Sequence, residues 1–570
     1  MESPRPDVRS AFKAHGDVRE YNVYVQTANV EEAWPDVHDW LLGPQIGPLL
    51  VSLEVALQVL DETLDEAGTR VYLNDAAKVD VVAASVSSVL TLIADLAFEY
   101  RPPADAPEGL FGPPSRESAW RTVMEKLDRV DNGVRLAADL RSRYDLAVRA
   151  LGFDLGLGRT RGKRRFDYDR WVRPGVTHRL YAPDRRERYV EDPIFVRVHQ
   201  VCEGILEALL VELNKVEAAL FEADYAAAER HVLMASRFMK PFERTVSQLG
   251  EMSQLDYAPL RVALRDASGI QSARAQARKE VVQDHFWLFR QQLKRRGLDC
   301  FVVLANHVEL AREYRLLQAF KTLGKTINES MSHHAHLVTN TLGSTVIGTV
   351  GFRILSLGEI AAMPLFRDLA KALDRLTLWT SLRFADHSGI VIHEQEREHG
   401  AAGKYEFDLP TAPCRPALMT ATTGRYFDAI RKHAKDEWKA LFSESPHFED
   451  PRDTKPYVSD LNLDVFFRNF QKLFPKVLAA EHTVVERGAN HLKAAWRIEA
   501  ESFLRKMVVR FGGTETFHFD PDGRIRAVFA DWRPDALAEE MMRRYRDTLA
   551  AEASAERLPS TRPARASRSR

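Results

Sequence analysis

Apolar residues recur every three or four positions through most of this chain, the signature of amphipathic helices that bury one face against each other. From Pro44 onward, Leu49, Leu50, Leu53, Leu57 and Leu60 fall on one helical face. Similar runs cover Ala77 to Tyr100 and Glu117 to Leu151, and Pro102, Pro103, Pro107, Pro113 and Pro114 break the interval between them. Residues 190 to 250 are rich in Ala, Glu, Leu and Met, with Pro241 the one proline after Pro193. Helix is predicted again over 273–296, 308–323, 357–378 and 464–509. Residues 385–460, rich in Pro, Gly, His and charge, read as irregular. Thr514–Phe519 and Arg524–Phe529 alternate either side of Asp520-Pro-Asp-Gly, which predicts a hairpin. The fold class read from this pattern is all-α.

At 570 residues the chain exceeds what one hydrophobic core supports. Gly152 to Gly162 carries four glycines and leads into the basic run Arg159–Arg165, which reads as a solvated linker and places a boundary there. The expected organisation is a helical region over 1–160, a core domain over 165–380, a mixed, mostly helical region over 385–550, and a disordered basic tail over 557–570. Lys and Arg number 80 against 81 Asp and Glu, so no global charge favours nucleic acid as a partner. Cys202, Cys300 and Cys414 are too scattered for a disulfide framework or a four-thiolate zinc site, and Cys300 reads as buried packing. No uninterrupted apolar stretch is long enough to span a bilayer. The start, with Glu2, Pro4, Pro6 and Asp7, lacks the character of a secretion signal. A cytoplasmic protein with no membrane partner is the expectation.

No GxxxxGK, HExxH or paired CxxC occurs. His199, in Phe195-Val-Arg-Val-His199-Gln200, shares a helix face with Phe195 and by itself reads as a core histidine. The cluster His333-His334-Ala-His336 by itself reads equally as a zinc fragment, a haem ligand or exposed side chains. His482, Glu486 and His491 read as a solvated helical face.

Taken together, these segments point further. From about Arg165 to Leu378 the chain resembles tryptophan 2,3-dioxygenase. Tyr168-Asp-Arg-Trp171-Val172 stands where that family has Y-x-x-Y-L, and Ile194–Gln200 resembles F-I-x-x-H-Q. Tyr257 and Arg261 resemble Y/F-x-x-x-R, and Ser268-Gly-Ile-Gln-Ser272 resembles S-G-F-Q-S. His334, Leu342-Gly343 and Gly348-Thr349-Val350-Gly351 resemble H-x-x-x-V-x-R-x-I-G and G-T-G-G. Leu365-Phe-Arg-Asp-Leu369 resembles L-F-P-E-L. The order is the family's throughout.

The resemblance implies an all-helical haem domain that takes a b-type haem and dioxygen and opens the indole ring of L-tryptophan, or a substituted tryptophan, to an N-formylkynurenine-type product. His334 would be the proximal iron ligand, with His333 and His336 as alternatives on the same helix. His199 would be the catalytic distal histidine, meeting the indole N–H. Phe195, Tyr168, Trp171 and Tyr257 would wall the substrate, Arg261 would pair with its carboxylate, and Ser268 and Thr349 would complete the pocket. The family typically forms tetramers in which a neighbour's N-terminal segment helps close the site, and a homo-oligomer, dimer or tetramer, is the expectation here. About 160 residues precede the matched region and could replace that contact within one chain or block it. The family's E-L-W after H-Q is here Glu203-Gly204-Ile205, Trp171 replaces a tyrosine, and Val350 replaces a glycine. These departures leave two alternatives open: a haem-dependent hydroxylase of another aromatic amino acid or indole derivative, and a non-catalytic haem-binding protein.

Overall fold

The computed structural model describes residues 21, 24–36, 41–67, 75–102, 107–158, 162–180, 192–252, 272–342, 363–383, 410–452, 454 and 456–557. The chain divides into two compact units, one of residues 1–289 and 311–366, the other of 290–310 and 367–570.

Unit 1 is helical. Its main elements are α1 (Thr27–Ala33), α2 (Ile46–Ala67), α3 (Asp75–Tyr100), α4 (Trp120–Leu127), α5 (Gly133–Leu151), α6 (Asp192–Phe221), α7 (Tyr225–Ser247), α8 (Ala273–Arg295, which continues past residue 289) and α9 (Ala311–Leu342). The leucines that predicted α2 are all buried. The run expected over Glu117–Leu151 is two helices, α4 and α5. Asn132 before α5 has a left-handed backbone, φ 61°, which breaks the helical path there. α6 packs on α2 and α7, α7 on α3 and α9, and α3 on α2 and α5. The apolar part of α3, Ala77–Tyr100, is long enough to cross a membrane, but these contacts make it a core helix of the unit.

The boundary expected at Gly152–Gly162 falls inside unit 1. Asp154 bridges to Arg165 and Phe111 to Phe166, and Tyr144 on α5 donates to the Asp154 carboxylate. Glycine and charge are local signals, and these partners are distant in sequence or lie across the turn. Glu54, fully buried on α2, accepts from Ser118 Oγ at 2.7 Å, Ala119 N at 2.9 Å and His178 Nε2 at 2.7 Å. That one carboxylate ties the segments on either side of α4 and α5 to α2, with its acceptor capacity largely used.

Unit 2 corrects the all-α expectation. Its described helices include α10 (Arg367–Arg383), α11 (Pro416–Lys432), α12 (Asp460–Leu473) and α13 (Pro534–Arg557). Beside them stand strands β1 (Phe442–Glu449), β2 (Lys476–Arg487), β3 (His491–Glu501), β4 (Val508–Phe519) and β5 (Ile525–Asp531). These form one five-stranded sheet in the order β1-β5-β4-β3-β2, with β1 parallel to β5 and the other pairs antiparallel. The helix expected over 464–509 therefore ends at Leu473. Leu492, Ala494, Trp496, Ile498 and Ala500 are buried at every second position, a period of two that a helix would scatter around its circumference. The Ala, Glu and Lys in this stretch favour helix only weakly, and burial against neighbouring strands overrides them. The β4–β5 hairpin stands where alternation placed it, with Phe519 opposite Ile525. Residues 410–460, read as irregular, contain α11 and β1; residues 384–409 and the tail beyond Arg557 lie outside the described residues. Cys300 is buried as expected.

Trp438, fully buried, centres the core of unit 2. Phe442 lies 4.7 Å from its ring, Phe467 5.1 Å, Phe448 and Phe466 5.7 Å, and Tyr426 5.8 Å. Nearby, buried Glu515 on β4 sits 3.5 Å from the Tyr426 hydroxyl. Asp450 is half-buried, but its carboxyl turns inward and accepts from the Trp532 indole N–H. Burial pushes Asp450 up to about 6, and burial plus the charge of Asp450 holds Glu515 well above the carboxylate range. Well below the ordinary 3.8, Asp450 is protonated in both folded and unfolded chains. Between the ordinary 3.8 and about 6 the unfolded chain ionises it while the folded chain keeps the proton, so stability falls as pH rises. Asp450→Asn should therefore gain on the wild type by up to about 3 kcal/mol between pH 4 and 7. Urea unfolding of both proteins across that range measures it; a difference that does not grow with pH removes the inference.

Candidate functional site: a buried histidine pair in unit 1

His199 lies in the second turn of α6, 8% exposed, where Val196, Val198 and Val201 drive burial of the helix. Its Nδ1 is 2.7 Å from the Phe195 carbonyl oxygen. A carbonyl only accepts, so Nδ1 carries the proton and Nε2 presents a lone pair. Burial pushes the ring down to about 4, so it is a neutral acceptor at physiological pH. The Phe195 ring lies 4.3 Å from that imidazole, so the two share a face as their spacing predicts.

His334 lies on α9. Burial pushes it down to about 4, and electrostatic interactions with His199, His333 and Arg278 act in the same direction. The ring is desolvated, while the residue keeps some accessible surface. Among the described residues nothing hydrogen-bonds either ring nitrogen. The alternatives on the same helix are differently placed. His333 Nε2 is 2.9 Å from Ser247 Oγ at the end of α7, and His336 is exposed. Of the three, His334 alone is strongly desolvated and, among the described residues, has no hydrogen-bond partner while interacting electrostatically with His199.

Two aromatic rings from the start of the chain complete this wall. Tyr21 meets the His199 ring edge-on at 5.8 Å, and Tyr24 meets Phe195 at 6.0 Å. Tyr21 is held by Glu203, one turn beyond His199, to which its hydroxyl donates at 2.9 Å. Glu203 also accepts from Ser272 Oγ at 2.6 Å and Arg274 Nη1 at 3.0 Å, while Arg274 bonds Glu207 at 2.6 Å and Glu31 at 2.7 Å. The N-terminal segment, α6 and Ser272 are thus joined by one buried carboxylate. Gly204, beside it, is required by close approach: a Cβ there would stand 2.2 Å from Ser52 Oγ and 2.8 Å from the Pro48 carbonyl on α2. Those two contacts account for a glycine at position 204.

Leu365 and Phe366 pack onto the helix that carries His334. Phe366 lies 5.9 Å from Phe320 on α9 and 4.3 Å from Phe286 on α8, and a Cβ at Gly324 would meet its ring at 2.8 Å. Tyr168 is fully buried, but its hydroxyl points to the Leu50 carbonyl at 3.4 Å, and its ring packs on Phe166. Trp171 lies three residues on, with the Arg170 guanidinium 5.0 Å from its ring. No described contact brings Tyr168 or Trp171 to His199. Tyr257, Arg261, Ser268 and Thr349, with the Gly343–Gly351 loop, lie outside the described residues. His482 is on a strand, stacked 4.9 Å from Phe427, and His491 begins the next strand, so the helical face expected there is absent. Sequence reasoning missed Tyr21, Glu203 as an anchor, and Arg278. Only the last had a local signal, since Arg278, Val282, His285 and Phe289 follow one face of α8 and all are buried.

No protein-family model matches this chain, and no curated protein matches it. Among solved structures, the epoxide hydrolase/cyclase-like enzyme SalBIII, which acts in pyran ring formation in the polyether salinomycin, is similar at 17% identity over 20% of this chain and 91% of its own, with a TM-score of 0.19. An NTF2-like protein of unknown function from Exiguobacterium is similar at 19% identity over 20% of this chain and 97% of its own, with a TM-score of 0.18. At these TM-scores neither likeness assigns an activity or a ligand to this chain.

Proposed function

We propose that unit 1 is a haem-dependent dioxygenase that opens the indole ring of tryptophan, or of a substituted tryptophan, to an N-formylkynurenine-type product. The observation that carries this reading is a pair of desolvated neutral imidazoles, His334 with no hydrogen-bond partner among the described residues and His199 with its tautomer fixed as an acceptor. The residues fit the group. A neutral imidazole with no hydrogen-bond partner among the described residues would be able to hold haem iron, so His334 would be the residue that binds it. Among the described residues no cluster of three His, Cys, Asp or Glu side chains forms the alternative, a metal centre built from side chains alone. When bound, haem supplies the oxygen chemistry, and the protein supplies orientation and exclusion of water.

His199 Nε2 accepts the indole N–H in this reading and fixes which edge of the ring faces the cofactor. Phe195, Tyr21 and Tyr24 form an aromatic wall for the indole. The Glu203 network holds Tyr21 in place and keeps bulk water from that side. The decisive experiment reconstitutes the full chain with haem, reduces it, and supplies L-tryptophan in air. Gain of two oxygen atoms in the product, read by mass, supports the dioxygenase. Gain of one favours the hydroxylase, and a haem protein that leaves tryptophan unchanged favours the non-catalytic alternative. His199→Ala should keep haem but lose about ten- to a hundredfold in turnover of tryptophan, the value of one buried hydrogen bond. Substrates methylated on the indole nitrogen should lose much less. Equal losses for both would rule out the hydrogen bond.

A further inference from the structure

Buried and half-buried arginines of unit 1 show how this chain treats an interior cation. Arg197, 4% exposed, pairs with Glu62, and half-buried Arg274 pairs with Glu203, Glu207 and Glu31. Arg278 differs. It is 6% exposed on α8, and among the described residues no carboxylate reaches it. Its guanidinium lies 5.0 Å from the Phe242 ring centroid, and Nη1 is 3.8 Å from Met239 Sδ, both on α7; its Nε is buried with no partner. Burial lowers its affinity for the proton only to about 10, so it stays charged near neutrality. A buried cation without a counter-ion is costly, and a thioether and a ring face offset little of that cost.

Two neighbours locate this cation. Arg278 interacts electrostatically with Cys202, one turn beyond His199 on α6, and with His334 on α9. It packs on α7, the helix that itself packs on both α6 and α9, which carry the two histidines. A planar guanidinium with an unused buried donor matches a carboxylate, which it can take bidentately.

We propose that Arg278 is the anion anchor of this site and receives a carboxylate from the ligand bound between His199 and His334. The carboxylate comes from one of two sources, the amino-acid group of the substrate or a propionate of haem. The proposal rests on the function proposed above for both ligands, haem and tryptophan. It also assigns carboxylate recognition to a described residue, in addition to Arg261.

The test uses the full chain and Arg278→Met, which keeps the stem volume and removes the charge; Arg278→Lys serves if the methionine variant fails to fold. Four probes separate the sources: hemin, hemin dimethyl ester, L-tryptophan and tryptamine, with binding read by Soret titration and calorimetry. Losing one partner of a buried charge pair costs about thirtyfold or more in affinity. If the anchor serves a propionate, Arg278→Met loses that factor for hemin and not for the ester. If it serves the substrate, hemin binding holds while tryptophan weakens by that factor and tryptamine does not. A wild type that binds tryptophan but no hemin overturns the haem reading and leaves the tryptophan arm to decide on Arg278. The proposal is overturned if the variant binds hemin and tryptophan as the wild type does, or if the wild type binds neither.

Discussion

His334→Ala purifies without a Soret band, whereas His333→Ala and His336→Ala retain it: that is the expected result of exchanging each histidine of the α9 cluster in turn. His333 is engaged by Ser247 and His336 faces solvent, so neither presents a free nitrogen to the interior. His334 does, and its desolvation keeps it neutral, the form that ligates. Alanine is the best helix former, so α9 itself gains slightly and the loss cannot be charged to unfolding of that helix. The apo form should melt within about 2 kcal/mol of the wild-type apo form, since a small cavity is the main cost. Added imidazole should restore part of the Soret intensity by occupying the vacated space. A His334→Ala protein with a normal Soret band would remove His334 from the site.

The largest expected effect on stability lies in unit 2. Trp438→Ala deletes the ring about which Tyr426, Phe442, Phe448, Phe466 and Phe467 are arranged, and it should cost about 3–5 kcal/mol. Rigid aromatic neighbours collapse poorly into a void, which places the value toward the upper end of that range. Among the described residues the strands belong to unit 2, so unfolding followed by the infrared strand signal isolates the transition that matters. A loss below about 1 kcal/mol would mean that the neighbouring rings refill the space and that Trp438 is not the centre of this core.

The parts of this architecture that sequence revealed are those encoded within a few turns of chain. The leucines of α2, the shared face of Phe195 and His199, and the β4–β5 turn each announce themselves within a dozen residues. The sheet was legible in part. The alternation from Leu492 to Ala500 was present, but Ala, Glu and Lys between the large residues masked it, and β2 lacks it because its burial is irregular. What could not be read was any pairing across long separations. Tyr21 meets Glu203 across 182 positions, Gln45 meets Glu212 across 167, and Ser272 meets Glu203 across 69. Arg278 sits among several other basic residues on α8, and nothing in composition tells a solvated arginine from one buried without a counter-charge. Ranking the histidines at 333, 334 and 336 likewise needed Ser247, a partner from another helix.

The Tyr21–Glu203 contact has a kinetic meaning. A pocket wall contributed by the same chain is present at an effective concentration set by tether length, commonly in the millimolar range, rather than by the abundance of the protein. Its occupancy is then a unimolecular equilibrium. Dilution, crowding by identical copies or loss of a neighbouring subunit leaves it unchanged, whereas cleavage of one peptide bond after Tyr24 converts it into a bimolecular encounter. An intact chain should thus hold its specific activity constant down to nanomolar concentrations, and a nicked one should lose activity on dilution and regain it on concentration.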